Sequence, residues 1–277
     1  MILLVDGGNL AMRCLFSSAD AMADESFRLF KYIYFRTLFL NIKEFTPNEV
    51  VLAMDGKGNW RHSVYPEYKK SRKKKRDDSP VNFRAFFEIY REFSEKIKSS
   101  LPIKVIDLEK VEADDIISVI SRKGGGEKVI LSTDNDFTQL LHLKDVKLFN
   151  PLKGEWVTSD DPRLDLLEKI LAGDSGDEVP PVRKGVGKKT ARKIAKQGAE
   201  GIKRWIIHEG LEAEFRRNFA LVNLLKIPSE KENRVLETYE EYTLPDPNGI
   251  SEFVYDSGFR WFIDRIDMTE GILLSLH

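Results

Sequence analysis

The stretch "ILLVDGGN" (Ile2–Asn9) sets the reading of the whole chain. Four apolar residues run without interruption into a carboxylate, Asp6, and then into two glycines. A run this short and this apolar, with no alternation, is what a strand buried on both faces requires. The same shape recurs in "VVLAMD" (50–55), "IKVIDL" (103–108), "KVILSTD" (128–134) and "VKLFN" (146–150). Between them lie segments with apolar residues at helical spacing, among them "DESFRLFKYIYFRTLFLNIKEF" (24–45) and "VNFRAFFEIYREFSEKIKS" (81–99). Strands alternating with helices predict an α/β fold, a mostly parallel sheet flanked by helices. From about residue 160 the strand pattern fades, and "DPRLDLLEKILAG", "KKTARKIAKQ" and "EGIKRWIIHEGLEAEFRRNFALVNLLK" read as helices. The expected division is therefore 1–160 for the sheet and 161–277 for a helical region.

Composition narrows the function classes. The 277 residues are 42% hydrophobic and 32% charged, enough for a substantial core, and the net charge of −1 names no partner by itself. Cys14 is the single cysteine, which excludes an intrachain disulfide and suits a reducing cytoplasm. His62, His142, His208 and His277 show no zinc-site spacing. The first residues turn acidic too soon for a signal peptide, and no apolar run approaches the roughly 20 residues of a membrane span.

The acids are patterned. Asp6, Asp55 and Asp134 each follow an apolar run, and in an open parallel sheet the carboxyl ends of the strands share one edge. "EADD" brings Glu112, Asp114 and Asp115 to a helix start at that edge; "STDNDF" adds Asp136, and "GDSGDEVP" adds Asp174 and Asp177. Aspartates also cap helices and turns, which accounts for any one of them but not for three strand ends together. At about 4 Å and an effective dielectric near 20, each like-charge pair costs roughly 4 kcal/mol unless a cation intervenes. Carboxylates without Cys or His select hard ions, Mg²⁺ or Mn²⁺, and two such ions suit phosphodiester hydrolysis.

The cations are patterned too. In "KKSRKKKR" (69–76) every residue but Ser71 is Lys or Arg, just beyond Asp55, with Trp60, Tyr65 and Tyr68 upstream. An isolated run of this kind is usually a solvated loop. Beside a metal site, and interleaved with aromatics, it fits single-stranded nucleic acid, with Arg61, Tyr68, Lys70 and Lys73 as candidate contacts. "GVGKKTARKIAK" (185–196) is no P-loop, since Val182 stands where the first Gly belongs and Lys189 where Ser or Thr belongs. The alternatives are a plain helix cap and a helix–hairpin–helix turn near 172–198, in which Gly185, Gly187, Lys188 and Lys189 hold a backbone phosphate.

Taken together, "LLVDGGN", "AMDGKGNWRHSVYPEYKKSR", "EADD", "LSTDNDFTQL", "GDSGDEVP" and "GVGKKTA" resemble the structure-specific 5′-nuclease (flap endonuclease, 5′-3′ exonuclease) family, and within it the bacteriophage RNase H branch. The resemblance implies a PIN-like fold and hydrolysis of RNA/DNA or DNA/DNA at 5′ ends and flaps during phage replication. It implies a first Mg²⁺ held by Asp6, Asp55, Glu112 and Asp114, and a second drawing on Asp115, Asp134, Asp136, Asp174 and Asp177, with Mn²⁺ able to substitute. It makes the strip a helical arch near 57–85, with Lys69 and Arg72 its catalytic cations and Arg61 its upstream base. Branched or nicked DNA and RNA/DNA hybrids are the implied partners, with a single-stranded-DNA-binding protein or a sliding clamp as candidate protein partners. A monomer in the host-cell cytoplasm is expected. The family's turn usually reads "PGVPGIG"; here "PPVRKGVG" replaces a Gly by Pro181 and adds a residue before Gly185, which weighs against the family's K⁺ site. A PIN-type endoribonuclease and a catalytically silent nucleic-acid-binding relative are the rival readings.

Overall fold

The computed structural model describes residues 1–17, 26–123 and 125–276. Strand β1 (Ile2–Asp6) runs straight into helix α1 (Gly7–Leu15), and α2 (Arg28–Phe45) leads to β2 (Glu49–Ala53). Two short helices follow, α3 (Arg61–Val64) and α4 (Ser71–Asp77), then α5 (Phe83–Ser100), β3 (Lys104–Ile106), α6 (Ala113–Arg122) and β4 (Lys128–Leu131). A 3₁₀ segment (Asn135–His142) precedes β5 (Val146–Asn150) and β6 (Glu155–Val157). The rest is helical: α7 (Pro162–Ala172), α8 (Lys188–Ala195), α9 (Gly198–Glu209), α10 (Glu212–Val222), α11 (Ser229–Glu240), α12 (Gly249–Ser257), α13 (Arg260–Ile263) and α14 (Ile266–Leu274).

The five expected strands are present in a six-stranded sheet of order β3-β2-β1-β4-β5-β6, parallel except for β6. The α/β reading is thereby borne out. Strand β6 was not expected. It has three residues and an exposed Trp156, so no apolar run signals it, and it forms because Trp156 packs at 5.2 Å on the Phe149 ring of β5. The helix expected over 24–45 begins at Arg28, and residues 24 and 25 lie outside the described residues, as does His277. The long helical run after residue 200 divides at Gly210, whose φ of 66° ends α9.

Both sheet faces are covered. Leu3, Val5, Val50 and Leu52 point into one layer with α1, α2 and α5, which α12–α14 complete. The centre of that layer is aromatic: Phe35 meets Phe262 at 4.7 Å and Phe253 at 5.0 Å. Each such ring, fully buried, contributes about 1.5–3 kcal/mol. Leu4, Val51 and Ile130 face the other layer, with Ile116, Ile117 and Ile120 of α6, the 3₁₀ segment and α11. Helices α7–α10 form two smaller clusters, one around Leu171, Val182 and Ala191 and one around Ile170, Val179 and Leu221 that also takes in Tyr68. The chain after residue 228 thus returns to the sheet. Strand order reverses between β1 and β4, and that gap carries the chemistry.

Candidate active site

In open α/β sheets, ligands sit beyond the strands' carboxyl ends where strand order reverses. Asp6 closes β1 level with Ala53 of β2. One step past the Val5–Leu131 pair of β1 and β4 stands Ser132, whose hydroxyl donates to Asp6 Oδ2 at 2.8 Å. The Asn9 amide donates to Oδ1 at 3.1 Å. Close approach here demands glycine: a Cβ on Gly7 would lie 2.8 Å from the Ala53 carbonyl oxygen, and one on Gly8 3.2 Å from Asp55 Oδ2. Burial first, then the charges of Asp55 and Asp134, pushes the Asp6 carboxyl up to about 7.

Asp55 accepts from the Ala113 amide at 3.0 Å, at the first turn of α6. Asp114 on that turn is held well above the usual carboxylate range by burial; Lys69 opposes this, while Asp6, Glu112 and Asp134 add to it. Asp134 accepts from the Asp136 amide at 2.8 Å and so starts the 3₁₀ segment. Acids from β1, the β2 and β4 ends and α6 therefore share one electrostatic neighbourhood.

"EADD" divides its acids between two faces. Glu112 is buried between Arg61 Nη1, at 2.7 Å, and Lys69 Nζ, at 2.6 Å. Burial alone would raise its carboxyl, but Lys69 and Arg61 outweigh that and hold it at about 2. Asp115 is 0% exposed, and its oxygens accept from Arg61 Nη2 at 2.7 Å, Trp60 Nε1 at 2.8 Å and the Glu112 amide at 3.2 Å. Positions three apart share a helix face, so Glu112 and Asp115 turn together towards α3 while Asp114 points into the cleft. This corrects two expectations. Asp115, 0% exposed, turns both oxygens onto Arg61 and Trp60 and stands apart from the acids that Asp114 faces. Arg61, 1% exposed and donating also to the Leu221 carbonyl at 3.1 Å, is no solvent-facing phosphate contact.

Asp136, Asp174 and Asp177 form a second set, each offering an oxygen within 4.8 Å of the others. A two-way bridge between Asp174 and Val179 folds "GDSGDEV" so that this is feasible. Arg72 Nη2 lies 2.5 Å from Asp177 Oδ1, and Lys69 Nζ lies 3.7 Å from Asp177 Oδ2. Lys169 of α7 pairs with Asp136 and, at 2.7 Å, with Asp174 Oδ2. Its partners shift in opposite directions. Burial outweighs Lys169 at Asp136, which also feels Asp134; at Asp174, Lys169 and the Gly176 amide outweigh burial and hold the group low. The donor set is all oxygen, as hard divalent ions require.

The family model for the 5′-3′ exonuclease N-terminal resolvase-like domain matches residues 1–166. The chain belongs to the 5′-3′ exonuclease family. It is accordingly a nuclease, a hydrolase of phosphodiesters, as the motifs implied. The ribonuclease H of phage T4 is 25% identical to it over 291 residues, covering 96% of this chain and 95% of that one. DNA polymerase I of Bacillus subtilis is 31% identical over 214 residues, but this exonuclease spans only 23% of that polymerase. The phage T5 5′-exonuclease, solved with zinc ions bound, superposes with a TM-score of 0.65 at 21% identity, covering 100% of this chain and 99% of that one. That likeness bears out the expected fold.

The exonuclease keeps its basic strip beside both acid sets. Lys69, with φ of 54°, donates its amide to the Asp177 carbonyl at 3.0 Å, and the Ser71 amide donates to Glu178 Oε1 at 2.8 Å. Lys70 and Lys73 are exposed, whereas Tyr68 is 3% exposed and donates to Asp177 Oδ2 at 3.3 Å. Tyr68 therefore offers no ring face to a base, a further correction. Helices α7 and α8 pack against each other across the 173–187 connection. Gly185 adopts φ of 89°, Gly187 caps α8, and Lys188 and Lys189 are exposed on its first turn. Sequence reasoning missed Lys169, Ser132 and Glu178. A signal existed for Lys169, a cation in the last turn of α7 shortly before Asp174.

Proposed function

We propose that this nuclease cuts phosphodiesters with two Mg²⁺ ions, at 5′ ends and flaps of RNA/DNA and DNA/DNA, in phage DNA replication in the host-cell cytoplasm. The observation that carries the reading is that Lys69 and Arg72 of the strip pair with the same acids that would hold the ions. Asp6, Asp55, Glu112 and Asp114 would hold one ion; Asp134, Asp136, Asp174 and Asp177 would hold the other. When bound, such ions neutralise the phosphate and activate a water. The chain's residues do the rest. Lys69 and Arg72 stabilise charge developing on the phosphoryl oxygens, the strip from Lys70 to Arg76 draws in the single-stranded 5′ arm, and Gly185, Gly187, Lys188 and Lys189 hold the duplex as a helix–hairpin–helix. We extend this to a division of labour between 1–160, which cuts, and the first helices of 161–277, α7–α10, which grip, while α11–α14 complete the layers over the sheet. A monomer on branched or nicked DNA, aided by a single-stranded-DNA-binding protein or a sliding clamp, is the proposed working form.

A 5′-labelled flap and a 5′-labelled RNA/DNA hybrid, incubated with Mg²⁺ or with EDTA, test the reading. Short 5′ products with Mg²⁺ alone are expected. Equal rates in EDTA would remove the metals from the proposal. Cuts in single-stranded RNA that ignore the 5′ end would favour an endoribonuclease, and tight binding without cleavage a catalytically silent relative.

A further inference from the structure

Lys169 already supplies a cation to the second acid set. Its ammonium lies between Asp136 and Asp174, which approach Asp177 within 4.8 Å, and its stem descends from the last turn of α7. Lys69 and Arg72 contact the same set at Asp177. An ammonium and a divalent ion cannot both take these Asp136 and Asp174 oxygens, since like charges in contact repel strongly at low dielectric.

We propose that Lys169 is a tethered competitor for the second metal position, making that ion bind weakly until the lysine is drawn aside. The inference rests on the reading of Asp136, Asp174 and Asp177 as ligands. Space for the displaced side chain exists: a groove of about 640 Å³ is lined by Lys169, Gly187 and Lys188 together with the acids Asp136, Asp165, Glu168 and Asp174. It runs from the acids to the amide end of α8, so a phosphate held there would attract the ammonium away from its carboxylates. The ion and the phosphate would then help each other bind, by linkage through one side chain.

Mn²⁺ binding without nucleic acid, followed by the paramagnetic signal of the free ion, tests this on the full chain. Wild type should show one tighter and one weaker ion, and Asp174→Asn should identify the weaker one by losing it. Lys169→Met keeps the stem and removes the charge, so it should tighten the weaker ion by about tenfold or more. Lys169→Gln should act in the same direction and serves if the methionine protein does not fold; Lys169→Arg, with the charge kept, should bind no tighter than wild type. Equal isotherms for wild type and the neutral variants, or weaker binding in the latter, would overturn the competition while leaving the ligand assignment intact. If Asp174→Asn changes nothing and neither protein takes a second ion, the second site itself is wrong and the inference falls with it.

Discussion

Asp114 and Asp115 are sequence neighbours with opposite fates, and the contrast yields two predictions. Asp114 faces other acids, so Asp114→Asn should abolish turnover, because charge stabilisation worth several kcal/mol is removed. Flap binding should survive, and melting in EDTA should match or exceed wild type, since a repulsion has gone. A large drop in that melting temperature would instead make the carboxylate structural. Arg61 presents the reverse case. Removing it leaves the buried Asp115 without a cation and Glu112 with Lys69 alone, so Arg61→Ala should cost about 3–5 kcal/mol in urea unfolding. An unchanged midpoint with weakened DNA binding would restore Arg61 to the phosphate-contacting role expected from the sequence. The pattern "EADD" was legible as a cluster, but which member faced the cleft depended on helix phase relative to α3.

At the scale of elements, the strip and the hairpin should divide the work. Lys69 touches Glu112 and Asp177, so Lys69→Ala should chiefly slow single-turnover cleavage at saturating enzyme. Lys188 and Lys189 sit exposed on the first turn of α8, so replacing both with Ala should weaken duplex binding and reduce the salt slope by about 0.9 for each phosphate no longer neutralised. Cleavage at saturation should then recover in the hairpin variant only. Equal impairment in both would show that the two elements act as one. The strip and strands β1–β5 were visible as motifs, because each is local chemistry, whereas the 185–196 turn read equally as a plain helix cap or a hairpin. Strand β6 was not visible, since its stability comes from the packing of Trp156 on Phe149 rather than from its own three residues.

For the whole molecule, the buried acids couple stability to pH and metal. The Asp6 carboxyl stands at about 7, above its ordinary 3.8, so the folded chain binds more protons than the unfolded one between those values. Its contribution is fully present below about 4 and is lost as pH rises to about 7. Glu112 runs the other way: held at about 2 against an ordinary 4.5, it contributes above 4.5 and is lost as pH falls towards 2. Metal-free protein should therefore melt lower at pH 7 than at pH 5, and Asp6→Asn should shrink that difference. Mg²⁺ at a hundredfold its dissociation constant should add about 2.7 kcal/mol at pH 7. A flat profile in EDTA, identical in Asp6→Asn, would contradict the account.

The sequence by itself determined five of the six strands, the helices that cover them and the inventory of acids and bases, because apolar periodicity and residue chemistry are properties of short segments. It also carried the family, since motif order survives where identity is low. Only the tertiary structure decided which charges neutralise one another. Arg61 meets Glu112, Asp115 and the Leu221 carbonyl, and Lys169 meets Asp136 and Asp174, across separations of 33 to 160 residues except for Asp174. Those pairings arise from how α3, α6, α7 and α10 pack around the strand-order reversal. A charge's partner in the low-dielectric interior is set by that packing, and no local pattern encodes it.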